Sequence, residues 1–119
     1  MLAASVRILL CTVPQDMRRS FDALALVTRE LLGEDPQSGA LYIFLGKRPT
    51  RVKVLWWDKS GYVLLYKRLH RALFRIPVGA PNGAALHLDA AAFNELLAGV
   101  ANEKKERNRC SKVLTSIVH

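Results

Sequence analysis

Apolar and polar residues alternate with two different periods along the chain, and the changes of period delimit predicted strands and helices. Val6 to Val13 is mostly apolar and β-branched, which predicts a first strand ended by Pro14, whose ring removes a backbone donor. From Asp16 the spacing is helical, with Asp16 near the positive end and Gly33 as the stop. The apolar stripe of this helix comprises Met17, Phe21, Leu24, Thr28, Leu31 and Leu32. We expect the stripe to pack on a sheet.

The middle of the chain has the two-residue period of β-strands. Leu41 to Leu45 is short, aromatic and branched, which indicates a buried strand. Arg51 to Trp57 alternates basic and apolar positions, so that one face is predicted to be dry and the other half polar. Asp58 to Gly61 forms a turn before a further strand, Tyr62 to Leu69. The strands on either side of this turn, Arg51 to Trp57 and Tyr62 to Leu69, are therefore predicted to form an antiparallel hairpin.

The short turn fixes the register of this hairpin. It places three pairs opposite one another on one face: Trp57 and Tyr62, Lys53 and Tyr66, Arg51 and Arg68. Two arginines directly opposite each other on paired strands repel unless an anion lies between them.

The remaining elements complete an α+β fold. Phe74 to Val78 is predicted to be an edge strand that ends at Pro77. Asp89 is the predicted N-cap of a second helix, whose apolar positions are Phe93, Leu96, Leu97 and Val100. The predicted architecture is a mainly antiparallel sheet with the two helices packed on one face. Residues 1–101 form a single predicted domain, and 102–119 form a charged C-terminal tail.

The charge of the chain narrows its partners. The 119 residues include 18 Lys and Arg against 10 Asp and Glu, for a formal net charge of +8. Such an excess favours a polyanionic partner. No run reaches the ~18 apolar residues needed to cross a bilayer, so we expect a cytoplasmic protein that does not bind membranes.

Candidate catalytic groups are dispersed, which argues against an enzyme. The carboxylates lie mostly at predicted helix starts, in turns or on charged faces. Cys11, Cys110 and the three histidines show no metal-ligand spacing, and the glycines form no phosphate-binding motif. We therefore expect no catalytic residues, no metal and no cofactor.

Basic and aromatic residues are interleaved around the hairpin, a mixture suited to phosphate contact and stacking. The candidate nucleic-acid-binding residues are Lys47, Arg48, Arg51, Lys53, Tyr66, Lys67, Arg68 and Arg71. Solvated charges and core aromatics are the alternative interpretation. If the six basic residues other than Arg71 contact phosphates, the logarithmic salt dependence of duplex binding should have a slope of about −5.

Several short motifs agree in order and spacing with a known family. They are Asp16-Met17-Arg18 with Phe21-Asp22, Leu32-Gly33-Glu34-Asp35-Pro36 through Ser38-Gly39, Lys53 with Trp57-Asp58 and Gly61, and Tyr66-Lys67-Arg68-Leu69 with Phe74 and Pro77. On these motifs, over roughly residues 5 to 100, the chain resembles the accessory proteins, often called TnpB, encoded by the second open reading frame of insertion-sequence-sixty-six elements of bacteria. It departs from the family pattern at His70, Arg71, Ala72 and Ile76, and after Val100.

The resemblance implies a non-catalytic role in DNA transposition beside a separate, larger transposase. Two hypotheses follow: electrostatic binding of DNA, or docking on the transposase without DNA contact through an apolar patch such as Trp57 with Val113 to Val118. RNA binding is a weaker third hypothesis. Six motif residues have no assigned role: Asp16, Arg18, Asp22, Asp35, Trp57 and Asp58. Oligomeric state does not follow from the sequence.

Overall fold

A computed structural model describes residues 5–76 and 83–101. In chain order its elements are β1 (Ile8–Gln15), α1 (Phe21–Glu30), β2 (Leu41–Gly46), β3 (Arg51–Trp57), β4 (Tyr62–Arg68), β5 (Ala72–Leu73), β6 (Ala85–Leu88), α2 (Ala90–Ala98) and β7 (Val100–Ala101). Two features predicted from the sequence, the end of the strand beyond Ile76 and the C-terminal tail, lie outside the described residues.

The strands form one five-stranded sheet in the order β4-β3-β2-β1-β6, and β5 pairs with β7 in a small separate ladder. Among the described strands only β1 and β2 run parallel, because α1 crosses between them; the other pairs are antiparallel. The predicted α+β class with a mainly antiparallel sheet is thus confirmed.

The two helices lie on opposite faces of the sheet, which corrects the prediction that both pack on one face. Leu96 of α2 belongs to the core that contains Ile8 and Leu10 of β1. Leu24 of α1 belongs to the core that contains Leu9 and Cys11 of the same strand. Successive residues of a strand point to opposite faces, and β2 is buried at every position, so each face needs its own cover.

The first strand and helix differ from prediction at their shared boundary. Pro14 does not end β1: a register irregularity between Cys11 and Gln15 accommodates it, and Gln15 pairs with Gly46. Helix α1 begins at Phe21 instead of near Asp16, with Ser20 at the N-cap. The Asp16 side chain is occupied in a local turn, which competes with helix formation.

The C-terminal elements of the structure agree only in part with those predicted from the sequence. Asp89 caps α2 as predicted, since its side chain accepts a hydrogen bond from the Ala92 amide at 2.8 Å. The predicted strand from Phe74 is wrong over residues 74–76; the ladder lies earlier, at β5. Gly99, with φ of 77°, ends α2, so Val100 lies in β7 and not in the helix. Strand β6 had no predicted counterpart.

Candidate nucleic-acid interface

The register of the β3–β4 hairpin is as predicted. Trp57 faces Tyr62, Lys53 faces Tyr66, and Arg51 faces Arg68. All seven pairs follow without interruption, so the side chains of Arg51, Lys53, Tyr66 and Arg68 share the face of the sheet that carries α1.

Backbone hydrogen bonds show that Arg51 and Arg68 form the closer kind of cross-strand pair. The Leu69 amide donates to the Thr50 carbonyl at 2.8 Å, so the neighbouring pair is hydrogen-bonded, and the pairs alternate along the strands. Arg51 and Arg68 therefore lie at a non-hydrogen-bonded position, where side chains are closest. One guanidinium nitrogen of Arg51 donates to the Tyr66 hydroxyl at 3.2 Å. Tyr66 thus orients Arg51 beside a like charge.

The loop between β2 and β3 adds two exposed cations beside this pair. Lys47 and Arg48 lie with Arg51 and Arg18 along an open cleft of about 650 Å³. The cleft depends on close approach of the chain at Gly46, where an added Cβ would stand 2.7 Å from Cγ of Met17. We call Lys47, Arg48, Arg51 and Arg68 the basic surface.

One carboxylate, Asp16, also lines the cleft. Nε and a terminal nitrogen of Arg18 donate to its two oxygens at 3.0 and 2.7 Å, and the Arg18 amide donates at 2.9 Å. These hydrogen bonds hold the pKa of Asp16 well below its usual range, and the side-chain hydrogen bonds to Asp16, together with its charge, raise the pKa of Arg18. The Arg18 side chain is otherwise exposed, so its charge is partly neutralised within the cleft.

Lys53 is placed differently from the other candidate residues. Its side chain is buried, with 7% of the residue exposed. The ammonium donates to the carbonyl of Arg19 at 2.7 Å and lies 4.9 Å from the centre of the Tyr66 ring. Lys53 therefore joins the segment before α1 to the hairpin and supports Tyr66, and it is not part of the basic surface.

Lys67 and Arg71 also lie apart from the Arg51–Arg68 pair. Lys67 points to the opposite face of the sheet, where its ammonium donates at 2.7 Å to the Leu97 carbonyl near the end of α2. A cation at a helix C-terminus is favourable, which is a structural reason for Lys67. Arg71 is exposed beyond the end of β4.

The basic surface has little local acidic compensation. Between residues 47 and 75 there are nine basic residues and one acidic residue, Asp58. Within 5–76 and 83–101 the ion pairs are Arg7 with Glu34 and Arg18 with Asp16, so the basic surface is without a salt bridge there.

The remaining motif residues take structural positions. Oδ1 of Asp35 accepts from the Gln37 amide at 2.9 Å, and the Asp35 carbonyl accepts from the Tyr42 hydroxyl at 2.9 Å. Trp57 meets Tyr62 edge to face, with ring centres 5.0 Å apart. Asp58 and Gly61 close the hairpin turn, and Asp22 is exposed in the first turn of α1.

Asp16 and Arg18 are the motif residues that the structure brings next to the basic surface, a position that the sequence alone does not predict. The missing signal was tertiary: the close approach at Gly46 juxtaposes two segments about thirty residues apart in the chain. Nothing in the local pattern of either segment encodes that contact.

The described part of the chain contains no group of three or more potential metal-ligating side chains, and none of its helices has the length and apolar content of a membrane span. Cys11 is buried in the core, and burial raises its thiol pKa, which disfavours the reactive thiolate.

Comparison with known proteins assigns the chain to a family. The family described as "IS66 Orf2 like protein" matches residues 6–107. Two proteins of Sinorhizobium fredii are similar: "Uncharacterized protein y4hO", 36% identical over 81% of this chain and 82% of its own length, and "Uncharacterized protein y4jC", 34% identical over 80% of each. No solved structure matches significantly. The chain therefore belongs to the IS66 Orf2-like family, a family of accessory proteins associated with transposition.

Proposed function

We propose that this accessory protein binds DNA electrostatically through the basic surface. The observation that carries the proposal is the Arg51–Arg68 pair, two like charges held at the closest cross-strand position. Like charges placed directly opposite each other cost stability, and a phosphate between them would turn repulsion into attraction.

The surroundings of the pair fit phosphate binding. Lys47 and Arg48 extend the positive charge along the adjacent loop, where both side chains are exposed. The hydroxyl of Tyr66 holds Arg51 in place, and Lys53 under the Tyr66 ring supports that arrangement. Preorganised cations lose less side-chain freedom on binding an anion. We accordingly assign Tyr66 and Lys53 a supporting role.

Such contacts give affinity with little sequence information. Phosphates are the same at every position, so contacts to them set orientation and strength, whereas base edges and DNA shape set specificity. We propose that the choice of site within the element comes mainly from the transposase or from DNA shape.

Titration of labelled duplex tests the proposal. An element-end duplex and a scrambled duplex of equal length are each titrated at two salt concentrations, and binding is followed by fluorescence anisotropy. We expect salt-sensitive binding to both, which the double substitution Arg51→Glu with Arg68→Glu should abolish at moderate salt.

The matched control is Arg29→Glu with Lys59→Glu, which changes the net charge by the same amount. Arg29 lies in the last turn of α1, and Lys59 lies in the turn at the other end of the hairpin from Arg51 and Arg68. Retained binding in the control with loss in the first variant supports the basic surface. Equal effects in both variants would show that only the overall charge matters.

Absence of binding by the wild-type chain at low salt would overturn the proposal and favour docking on the transposase. That rival is separately measurable, because copurification with the transposase would then persist after nuclease treatment and in high salt. A single-stranded competitor of matched length distinguishes duplex DNA from RNA-like single strands as the preferred ligand.

A further inference from the structure

Strand β4 forms an unusually open edge of the sheet. It has seven residues, pairs with β3 without a bulge and contains no proline. Within the described ranges no strand pairs with its outer side, since β4 is the last strand in the sheet order. The opposite edge, β6, has only four residues. Natural sheets usually protect long edges with prolines, bulges, charged side chains or covering segments, because a regular edge can pair with another chain. The charged residues of β4 are confined to its end, at Lys67 and Arg68.

The hydrogen bonds at the two ends of the hairpin show which groups face outward. The Gly61 carbonyl accepts from the Asp58 amide, and the Leu69 amide donates to the Thr50 carbonyl, so both residues bond towards β3. Every second residue between them bonds to β3 in the same way. The alternate residues therefore direct their backbone N–H and C=O groups to the open edge: Tyr62, Leu64, Tyr66 and Arg68.

The side chains at the middle of this edge are large, apolar and exposed. Leu65 is 39% exposed and Tyr66 is 50% exposed. They point to opposite faces of the sheet, so a strand added at the edge would cover part of each. Exposed apolar residues beside unpaired backbone groups are the features of a pairing edge.

We propose that the outer edge of β4 pairs antiparallel with β4 of a second copy of this chain. The two-fold axis passes Leu65, the central residue of the strand, because only this register overlaps all seven residues. The outward-facing residues then meet in four pairs, which exchange roughly eight backbone hydrogen bonds. The result is one continuous sheet of ten strands.

The side chains are self-complementary in this register. Arg68 lies opposite Tyr62 of the partner subunit, and Lys67 lies opposite Val63 of the partner subunit. Leu65 lies beside the partner's Leu65, which covers the exposed apolar position. A register displaced by four residues, with the axis at Lys67, brings the Lys67 side chains of the two copies opposite each other, which is unfavourable. Charge thus opposes that displacement, and the apolar contact favours the symmetric register.

Pairing of this kind places the two basic surfaces on the same face of the joined sheet. Residues opposite each other on paired strands share a face, so Arg68 of both copies lies on the face that carries α1. Along the strand direction the two Arg68 positions are six residues apart, or roughly 20 Å at about 3.4 Å per residue. The dimer would present two separate cationic sites to one polyanion. The pairing itself does not require DNA.

The oligomeric state of the full chain without DNA tests the proposal. Light scattering coupled to size-exclusion chromatography should show the mass rising with concentration from 13.3 kDa towards twice that value. Leu65→Lys and Leu65→Glu each place like charges beside the axis, and each should remain monomeric. An equimolar mixture of the two variants should recover the dimer, because the charges are then opposite.

Leu26→Lys is the matched control, because Leu26 is also exposed, at 52%, but lies on α1. It should dimerise as the wild type does. A wild-type chain that stays monomeric at all concentrations overturns the proposal, and so does a dimer that survives both Leu65 variants. Failure to recover the dimer in the mixture overturns the register. None of these results depends on DNA binding, so the proposed function is tested separately.

Discussion

The proposed DNA binding makes a quantitative prediction, because its dependence on salt follows from the number of cations that contact phosphates. Each phosphate neutralised by a Lys or Arg of the protein releases counterions and contributes about −0.9 to the slope of log K against log salt. The basic surface contains four such residues, Lys47, Arg48, Arg51 and Arg68, so the expected slope is about −3.6. Between about 50 and 200 mM salt the affinity should fall roughly 150-fold.

This expectation differs from the one drawn from sequence alone. Counting Lys53 and Lys67 as phosphate contacts gives a slope of about −5 and a loss of affinity on the order of a thousand-fold over the same range. Lys53 is buried against the Arg19 carbonyl, and Lys67 is bonded to Leu97 on the opposite face. Equilibrium titrations at five or so salt concentrations separate the two slopes.

Neutral substitutions make the assignment residue-specific. Arg51→Ala with Arg68→Ala should reduce the slope to about −1.8, so that affinity falls only about ten-fold between 50 and 200 mM. Arg29→Ala with Lys59→Ala removes the same charge elsewhere and should leave the slope unchanged. A wild-type slope near zero, or a slope that the first pair of substitutions does not alter, would refute the reasoning.

Three further predictions follow from individual contacts in the structure. Lys53→Met should lower the free energy of unfolding by about 1–3 kcal/mol, because the Arg19 carbonyl loses a charged donor, and it should leave the salt slope of DNA binding unchanged. Urea unfolding measures the stability and DNA titration measures the slope, and an altered slope would contradict the supporting role of Lys53. Gly99→Ala should lower the free energy of unfolding by about 1–3 kcal/mol, since φ is 77° and the new Cβ would stand 2.6 Å from Cδ1 of Leu69. An unchanged midpoint of urea unfolding would contradict this prediction. Asp16→Asn should tighten DNA binding a few-fold by releasing Arg18, and the gain should be the same from about pH 5 to 8, because the lowered pKa keeps Asp16 of the wild type ionised over that range. Fluorescence anisotropy that shows no gain, or a gain that varies with pH, would contradict this prediction.

The hairpin was predictable because its determinants are local. A short turn between Trp57 and Tyr62 fixes the register, and the two-residue period then determines which side chains share a face. The Arg51–Arg68 pair therefore followed from the sequence. The cap of α2 followed for the same reason, because Asp89 acts on an amide three residues away.

The errors concern contacts between distant segments. Apolar periodicity identifies a buried helix face but does not identify the side of the sheet that covers it, so the prediction of both helices on one face is wrong. Burial of Lys53 depends on the carbonyl of Arg19, which only the folded chain brings near. Strand β6 is short, and its neighbour β1 is about seventy residues away, so its local pattern carried little signal.

The position of β1 has a consequence for synthesis of the protein. This strand pairs on one side with β2 and on the other with β6, yet the ribosome makes it long before β6. At about 5–20 residues per second, the seventy or so residues between Gln15 and Ala85 take roughly 4–14 s to add. For that interval one side of β1 lacks its native neighbour, so the nascent chain is most open to aggregation or chaperone capture before Ala85–Leu88 emerges.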